Sequence, residues 1–352
     1  MDSTLYGIAL IGAGNIARTH AAAIAEIPTA RVVALCDTSE PACRAFAQQV
    51  GPIEWTGDLD ELLARRDVDV VNICTPSGTH AELGVRAARA GKHLIVEKPL
   101  DTTLHKADRL IAAAREHGVK LSGIFPYRFR QGIRAAKRAI DRGRLGRMVL
   151  ADAYVKWYRA QEYYDGWHGT WALDGGGALI NQSIHNIDLL QWLAGPVRSV
   201  YAHTATLAHE MEAEDTASAL LHFENGALGV IQGATSCWPG DPARAEIHGT
   251  RGTIVLEEGR IKVWRLMDAS PEEEQEMTTL ETQDGHAFDD PTAIGHTAHR
   301  MQIEDMLEAI AQDREPRVSG TEARKAIEII RAIYLSAQRG EAVHLPLNDP
   351  EA

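Results

Sequence analysis

Basic residues are in short supply in this chain: 36 Lys and Arg stand against 49 Asp and Glu, a formal net charge of −13 over 352 residues. Nucleic acid and anionic membranes reward clustered cations, so neither is expected as a main partner. Cysteine is scarce as well. Cys36, Cys43, Cys74 and Cys237 are the full set, and no two stand at CxxC spacing, which argues against a structural zinc site. No Asp, Glu and His grouping has metal-ligand spacing either, so no metal is expected. No apolar run nears the length that spans a bilayer. Residues 1–6 hold no basic segment ahead of the first short apolar run, so no secretory leader is expected and the cytoplasm is the default location. Aromatics are only 6 % of the chain, which makes any local concentration of them informative.

What is present suits a soluble globular protein long enough for two domains. Short apolar runs at 6–11, 31–36, 67–74, 93–96 and 119–125 alternate with helical patterns at 16–26, 41–49, 59–65, 80–90 and 103–117. Strands alternating with helices predict a parallel sheet covered on both faces, and near-continuous apolar strands fit that burial. After about Arg147 the rhythm changes. Strand patterns follow one another at 148–157, 197–206, 216–223, 227–235, 243–248 and 253–257, with Asn225-Gly226 and Thr250-Arg251-Gly252 as turn signals. The expectation is an α/β domain over 1–124 and an α+β domain over 125–352. The second has one strong internal helix at 178–193, stopped by Gly195-Pro196. The acidic stretch 270–290 reads as an excursion or mobile loop. Helices return at 297–312 and 321–338.

Gly12-x-Gly14-x-x-Ala17 follows the first strand and opens a helix at Asn15 and Ile16. Gly12 permits the tight turn, Gly14 lets backbone approach a pyrophosphate, and Ala17 allows close helix–strand packing. The helix N-terminus adds free N–H groups and partial positive charge. Asp37 ends the second strand, where an acid accepts from both ribose hydroxyls and repels a 2′-phosphate. NAD is therefore the expected cofactor, with NADP left open by Thr38, Ser39 and Arg44. Thr75-Pro76 follows the third apolar run and is expected to border the nicotinamide ribose. His80 opens the next helix and is grouped with the cofactor-binding residues rather than as a catalyst.

Glu97-Lys98-Pro99 ends the fourth strand. Such a lysine can hold a substrate hydroxyl and stabilise its oxygen as the proton leaves. Asn181, His185 and Asp188, spaced four and three apart, share one helix face. A histidine suits proton exchange with an alcohol near neutral pH. Trp157, Tyr158, Arg159, Tyr163, Tyr164, Trp167, His168 and Trp171 crowd one short stretch. Aromatic faces with polar edges suit sugar rings, though a subunit interface uses aromatics equally well. Tyr127 and Arg128, just past the fifth apolar run, are further substrate-contact candidates.

Gly12-x-Gly14-x-x-Ala17, Glu97-Lys98-Pro99 and the run from Gly175-Gly176-Gly177 through Asn181 and His185 to Asp188 together resemble the glucose–fructose oxidoreductase, inositol dehydrogenase and rhizopine catabolism (Gfo/Idh/MocA) family. The resemblance covers nearly the whole chain, including Glu214-Asp215-Thr216-Ala217. It implies an NAD(P)-binding Rossmann domain followed by an α+β domain with a large open-faced, mainly antiparallel sheet. It also implies homodimers or homotetramers built through that sheet, and Lys98 with His185 as the catalytic pair. Glu97 and Lys98 then join Gly12, Gly14, Asn15, Ile16, Asp37, Thr75, Pro76 and His80 as cofactor-binding residues. Lys98, Tyr127, Arg128, Trp157, Trp167, Trp171, Asn181 and His185 form the expected substrate set. This chain departs from the family at Asn181, where many polyol-oxidising members carry aspartate. An asparagine can hydrogen-bond a hydroxyl but cannot take its proton, so the base role falls on His185.

The expected activity is hydride transfer between a secondary alcohol of a sugar, cyclitol or sugar derivative and nicotinamide. Redox-neutral elimination or glycoside cleavage, C=O or C=N reduction, and dinucleotide sensing without catalysis are the alternatives.

Overall fold

The apolar hexapeptide YGIALI begins the fold as a strand, and the computed structural model describes residues 5–280 and 295–347. In chain order the first elements are β1 (Tyr6–Ile11), α1 (Asn15–Ala25), β2 (Ala30–Cys36), α2 (Glu40–Val50), β3 (Trp55–Thr56), α3 (Leu59–Leu63), β4 (Val70–Ile73), α4 (His80–Arg89), β5 (His93–Val96), α5 (Leu104–Glu116) and β6 (Leu121–Gly123). Then come α6 (Gln131–Asp141), β7 (Met148–Lys156), a π-helical segment (Ala178–Ser183), α7 (Ile184–Ala194), β8 (Val197–Ala205), β9 (Thr216–Phe223), β10 (Leu228–Ala234), β11 (Arg244–Gly249), β12 (Gly252–Glu257) and β13 (Arg260–Leu266). Helices α8 (Pro271–Thr279), α9 (Thr297–Ala311) and α10 (Gly320–Arg339) and the short β14 (Val343–His344) complete the described chain.

Two compact units emerge. The first runs to Pro126 and takes back Ile294–Arg324; the second holds Tyr127–Ala293 and the chain from Lys325. A single cut at 124/125 is therefore corrected: α9 returns to the first unit. The reason is packing. Ile303, Met306 and Leu307 on α9 bury themselves in the same core as Ile8, Leu10, Ala17 and Ile24. Gln302 donates to the Gly123 carbonyl at 2.6 Å and accepts from the Phe125 N–H at 3.0 Å.

The first unit is a parallel sheet of order β3-β2-β1-β4-β5-β6. Its central strands are buried along their length, as in β4, where all four residues are buried, so their apolar runs do not alternate. The order reverses between β1 and β4, which opens a crevice at the strands' carboxyl ends. β3 is a two-residue strand the sequence pattern does not show.

The second unit is an eight-stranded sheet, β13-β12-β11-β7-β10-β9-β8-β14, antiparallel except for the parallel β7–β10 pair. Alternation is clear along β9, where Ala217, Ala219, Leu221 and Phe223 are buried and their neighbours are not. The other face carries exposed apolar residues in register: Tyr201 lies opposite Leu220, and Leu150 opposite Leu228. Residues 271–279 form a helix rather than part of the expected loop. Ser270 caps it by accepting the Glu273 N–H, Pro271 sits in its first turn, and Glu272, Glu273 and Glu274 suit its positive end. The remainder of that stretch, 281–290, lies outside the described residues. Among the described residues, no helix is long and apolar enough to cross a membrane.

Candidate active site

At the crevice of the first unit, Gly12 turns the chain with φ +98°, and a Cβ there would stand 2.7 Å from the Cys74 carbonyl oxygen. Gly14 caps α1 without any side-chain hydrogen bond, and a Cβ on it would meet nothing within 4 Å. Gly14 and Asn15 are exposed, so the first-turn amides are open to an anion. Asp37 sits beside them. Its Oδ2 accepts from Ala13 N–H and its Oδ1 from Ser39 N–H, both at 2.8 Å. A cavity of about 730 Å³ runs past Gly12, Asp37, Asp58, Thr75, Pro76 and Arg86. Open amides for phosphate and a fixed carboxylate for a diol fit a dinucleotide. Two cations of this region form exposed ion pairs, Arg44 with Glu40 and Arg86 with Asp60.

Lys98 projects from the next strand end. Pairing of Ile73 with Val96 puts the loops after β4 and β5 side by side. Lys98 is half-buried and precedes a cis peptide to Pro99. His80 does not reach outward as a cofactor ligand. It is buried, with Nδ1 2.8 Å from the Pro99 carbonyl and Nε2 2.8 Å from the Thr75 carbonyl, so it ties the two loops together.

Glu97 is corrected in the same way: its side chain points into the unit. Oε1 is 2.8 Å from His20 Nε2, and Oε2 accepts the Lys98 N–H at 3.0 Å. His20 Nδ1 in turn is 2.8 Å from Asn72 Nδ2. Glu97, His20 and His299 are the one grouping among the described residues with metal-like proximity, and spacing in sequence did not disclose it. Asn72 donates to Nδ1, so the proton lies on Nε2, the nitrogen facing Glu97; a metal ligand needs that nitrogen bare. His20 and Glu97 are joined by a hydrogen bond, and the His299 ring packs edge-on to that of His20.

Burial pushes the Glu97 carboxyl up, but the His20 hydrogen bond and nearby positive charge, that of Lys98 included, outweigh it and hold the group at about 2 against an ordinary 4.5. A lowered folded value means the stabilisation is complete above pH 4.5 and is lost as pH falls through 2. Glu97→Gln is expected to destabilise the protein by about 3 kcal/mol at pH 7. By about pH 3 the deficit should shrink to about half or less. Urea unfolding of both proteins across that range checks it; a deficit constant with pH would refute it.

In the second unit the expected α-helix begins as a π-helical segment, a feature frequent at functional sites. Glu214 anchors it. Oε2 accepts from Gly177 N–H, and Oε1 from Leu179 N–H and the Tyr334 hydroxyl. Burial raises the Glu214 carboxyl to about 7, with those donors pulling it back down. Asn181, His185 and Asp188, expected on one face, each have different company. The Asn181 amide donates to both oxygens of buried Asp174, at 2.7 and 2.9 Å, and lies 3.0 Å from His168 Nδ1. Asp174 thus supplies a carboxylate seven residues from the position that lacks one; it carries no motif, and sequence reasoning missed it. His185 is half-buried, its ring 5.4 Å from that of Tyr127.

Asp188 is engaged by Arg128. It takes a bidentate pair from Arg128, at 2.7 Å from Nε and 2.6 Å from an Nη, and the guanidinium also lies over Trp192. Arg128, expected as a substrate contact, is buried with its guanidinium on Asp188. Trp157 is likewise packed inside, against Val155 and Ala243. Trp167 is half-buried and lies over His168, whose other neighbour is the stacked ring of Tyr163 at 4.3 Å. Trp171 is 44 % exposed, and its Nε1 donates to the Glu212 carbonyl.

Residues 6–125 match the family model described as an oxidoreductase family with an NAD-binding Rossmann fold, and residues 133–255 match the GFO/IDH/MocA C-terminal domain. The crystal structure of the WlbA dehydrogenase from Bordetella pertussis, in complex with NADH and UDP-GlcNAcA, superposes with TM-score 0.89 at 33 % identity, covering 99 % of this chain and 100 % of that one. Inositol 2-dehydrogenase of Rhizobium meliloti is 32 % identical over 71 % of this chain and 75 % of its own length. The NAD(+)-dependent scyllo-inositol 2-dehydrogenase of Bacillus subtilis is 27 % identical over 96 % of this chain and 95 % of its own.

Proposed function

The chain belongs to the Gfo/Idh/MocA family of NAD(P)-dependent sugar and cyclitol oxidoreductases, and from that premise we propose that it oxidises a secondary ring alcohol with NAD, using Lys98 and His185. The observation that carries this reading is the single carboxyl edge of the parallel sheet. It bears the Gly12 loop, Asp37, the Thr75 loop and Lys98 on successive strand ends.

Bound NAD supplies the hydride acceptor. The amides after Gly14 hold the pyrophosphate and Asp37 holds the adenosine ribose. Lys98 donates a hydrogen bond to the reacting hydroxyl and stabilises its oxygen as negative charge grows. His185 takes the hydroxyl proton as the carbon gives up hydride; in reduction it returns the proton. His168, with Tyr163 and Trp167 about it, offers an aromatic and polar surface suited to a sugar ring. The likeness to a UDP-GlcNAcA-bound dehydrogenase supports including nucleotide sugars among the candidate substrates.

The test is NADH formation, followed by its absorbance, across inositols, aldoses, anhydrosugars and nucleotide sugars, in parent protein and in a Lys98 variant. A substrate-dependent signal in the parent that the variant loses supports the reading. Bound cofactor with no turnover anywhere on the panel argues against it.

The open sheet face is the proposed oligomer contact. Leu220 and Leu228 are 60 % and 56 % exposed, with Tyr201 and Leu150 opposite them. An apolar surface of that kind is covered in most soluble proteins. Leu220→Glu with Leu228→Glu is expected to convert a dimer or tetramer to smaller species in light scattering after gel filtration. An unchanged mass would place the contact elsewhere.

A further inference from the structure

We propose that His168 is a locked hydrogen-bond donor: Asp174 and Asn181 hold its ring proton on Nε2, and that N–H reads an acceptor oxygen of the substrate. The substrate half rests on the sugar or cyclitol chemistry proposed above; the lock does not.

The lock follows from a count of hydrogens. Asp174 is buried, and as a carboxylate it offers acceptors only. Both of its oxygens meet the Asn181 amide nitrogen, at 2.7 and 2.9 Å, so the nitrogen of that amide, not its oxygen, must face them. The same nitrogen lies 3.0 Å from His168 Nδ1. An amide nitrogen carries two hydrogens. One serves the carboxylate and the other points at Nδ1, which is therefore the bare, accepting nitrogen of the ring. The alternative is a proton on Nδ1 donated to Asp174. That separation is 3.6 Å, too long for a hydrogen bond, and such a proton would confront the Asn181 hydrogen. The ring proton lies on Nε2.

The ring is also held against turning. Tyr163 stacks on it with centroids 4.3 Å apart and planes 8° from parallel, and the centroid of the Trp167 ring is 3.9 Å away. Tyr163 is itself fixed by its hydroxyl, which accepts from Gln182 at 2.8 Å. Asn181 and Gln182 are neighbours in the π-helical segment. One holds the imidazole by its edge, the other holds it by its face through Tyr163. Asp174 closes the loop by accepting the Gly169 N–H at 2.8 Å, one residue past the histidine. An aspartate at 181 would set a second carboxylate against Asp174, so the asparagine is what lets this device form.

Nε2 is left over. Among the described residues no hydrogen-bond partner meets it, and the side chain is 25 % exposed. An N–H fixed in place and open to a ligand favours a substrate with an oxygen there over an analogue without one. His168 is thereby a specificity residue, and Asp174 and Asn181 are positioning residues that act through it.

The lock is testable without turnover. Histidines are labelled with ¹⁵N, His168 is assigned by its absence in His168→Gln, and its two ring nitrogens are read by NMR at about pH 8.5, above the ordinary histidine range. The parent is expected to show a protonated Nε2 and a bare Nδ1. Asn181→Ala removes the donor, and the proton is expected to shift toward Nδ1 and Asp174. A proton on Nδ1 in the parent, or a distribution that Asn181→Ala leaves unchanged, overturns the lock. Should Asn181→Ala fail to fold by circular dichroism, the parent spectrum decides alone. With an oxidised substrate in hand, His168→Phe keeps the ring and its stack but loses the donor. It is expected to raise KM about five- to tenfold, with kcat and NADH affinity nearly unchanged. One analogue of that substrate lacking a single hydroxyl should show the same rise in the parent and no further rise in His168→Phe. An unmoved KM, or a loss confined to kcat, overturns the substrate role. A protein inactive across the whole panel refutes the hydride-transfer reading and leaves the spectra to judge the lock.

Discussion

Lys98→Met is expected to lower kcat/KM by about 10³-fold on any substrate the protein oxidises, with far less change in NADH affinity. Methionine keeps the length and much of the volume of lysine, so the half-buried strand end stays filled. What disappears is one cationic donor to an oxygen that becomes negative only as hydride departs. A donor of that kind lowers the barrier more than it strengthens ground-state binding, so the loss should appear mainly in kcat. A rise in KM with kcat intact would instead mark Lys98 as a binding residue. Fluorescence titration with NADH, beside steady-state rates, separates the two.

The parts of this site that are legible in the sequence are those whose partners are close along the chain. The Gly12–Ala17 loop comes after β1 and opens α1, and its conformation is dictated within a few residues. Lys98 is visible because His93–Val96 is a strand, and a buried strand fixes where its carboxyl end emerges. The invisible parts pair across long separations. His20 and Glu97 are 77 positions apart and Arg128 and Asp188 are 60 apart. No local pattern distinguishes a histidine in an alanine-rich helix that meets a buried carboxylate from one that meets water. The same holds for α9. Its amphipathic pattern predicts a helix, but only its burial against α1 shows which unit it belongs to. The helix at 271–279 is different. Ser270, Pro271 and the three glutamates form a start signal that was legible, and overall acidity hid it.

Asn181 shows how a departure from a motif can be answered elsewhere. The asparagine replaces a possible base, yet its amide is drawn to Asp174, which brings a buried carboxylate to the same segment and lies near His168. His185, whose ring neighbour is Tyr127, is left as the side chain of this segment best suited to proton exchange under the proposed chemistry.

Asp188→Ala should cost more stability than Glu97→Gln, about 3–5 kcal/mol. The Arg128–Asp188 pair is bidentate and almost wholly buried, with side-chain exposures of 3 % and 1 %. Removing the carboxylate takes the bidentate anionic partner from a guanidinium that lies over Trp192 in a dry interior, and a buried cation stripped of its counter-charge is among the costliest defects a fold can carry. Arg128→Met combined with Asp188→Leu removes both charges and restores apolar volume, so the double variant should recover most of the stability lost by Asp188→Ala. Urea unfolding of the parent, Asp188→Ala, Arg128→Met and the double variant makes the comparison. The same four proteins decide what Arg128 is for. If it is structural, Arg128→Met lowers the unfolding midpoint and the double variant regains both stability and turnover. If it binds substrate, the double variant is stable and its KM remains high, because an aliphatic pair offers nothing to replace a guanidinium that substrate was using.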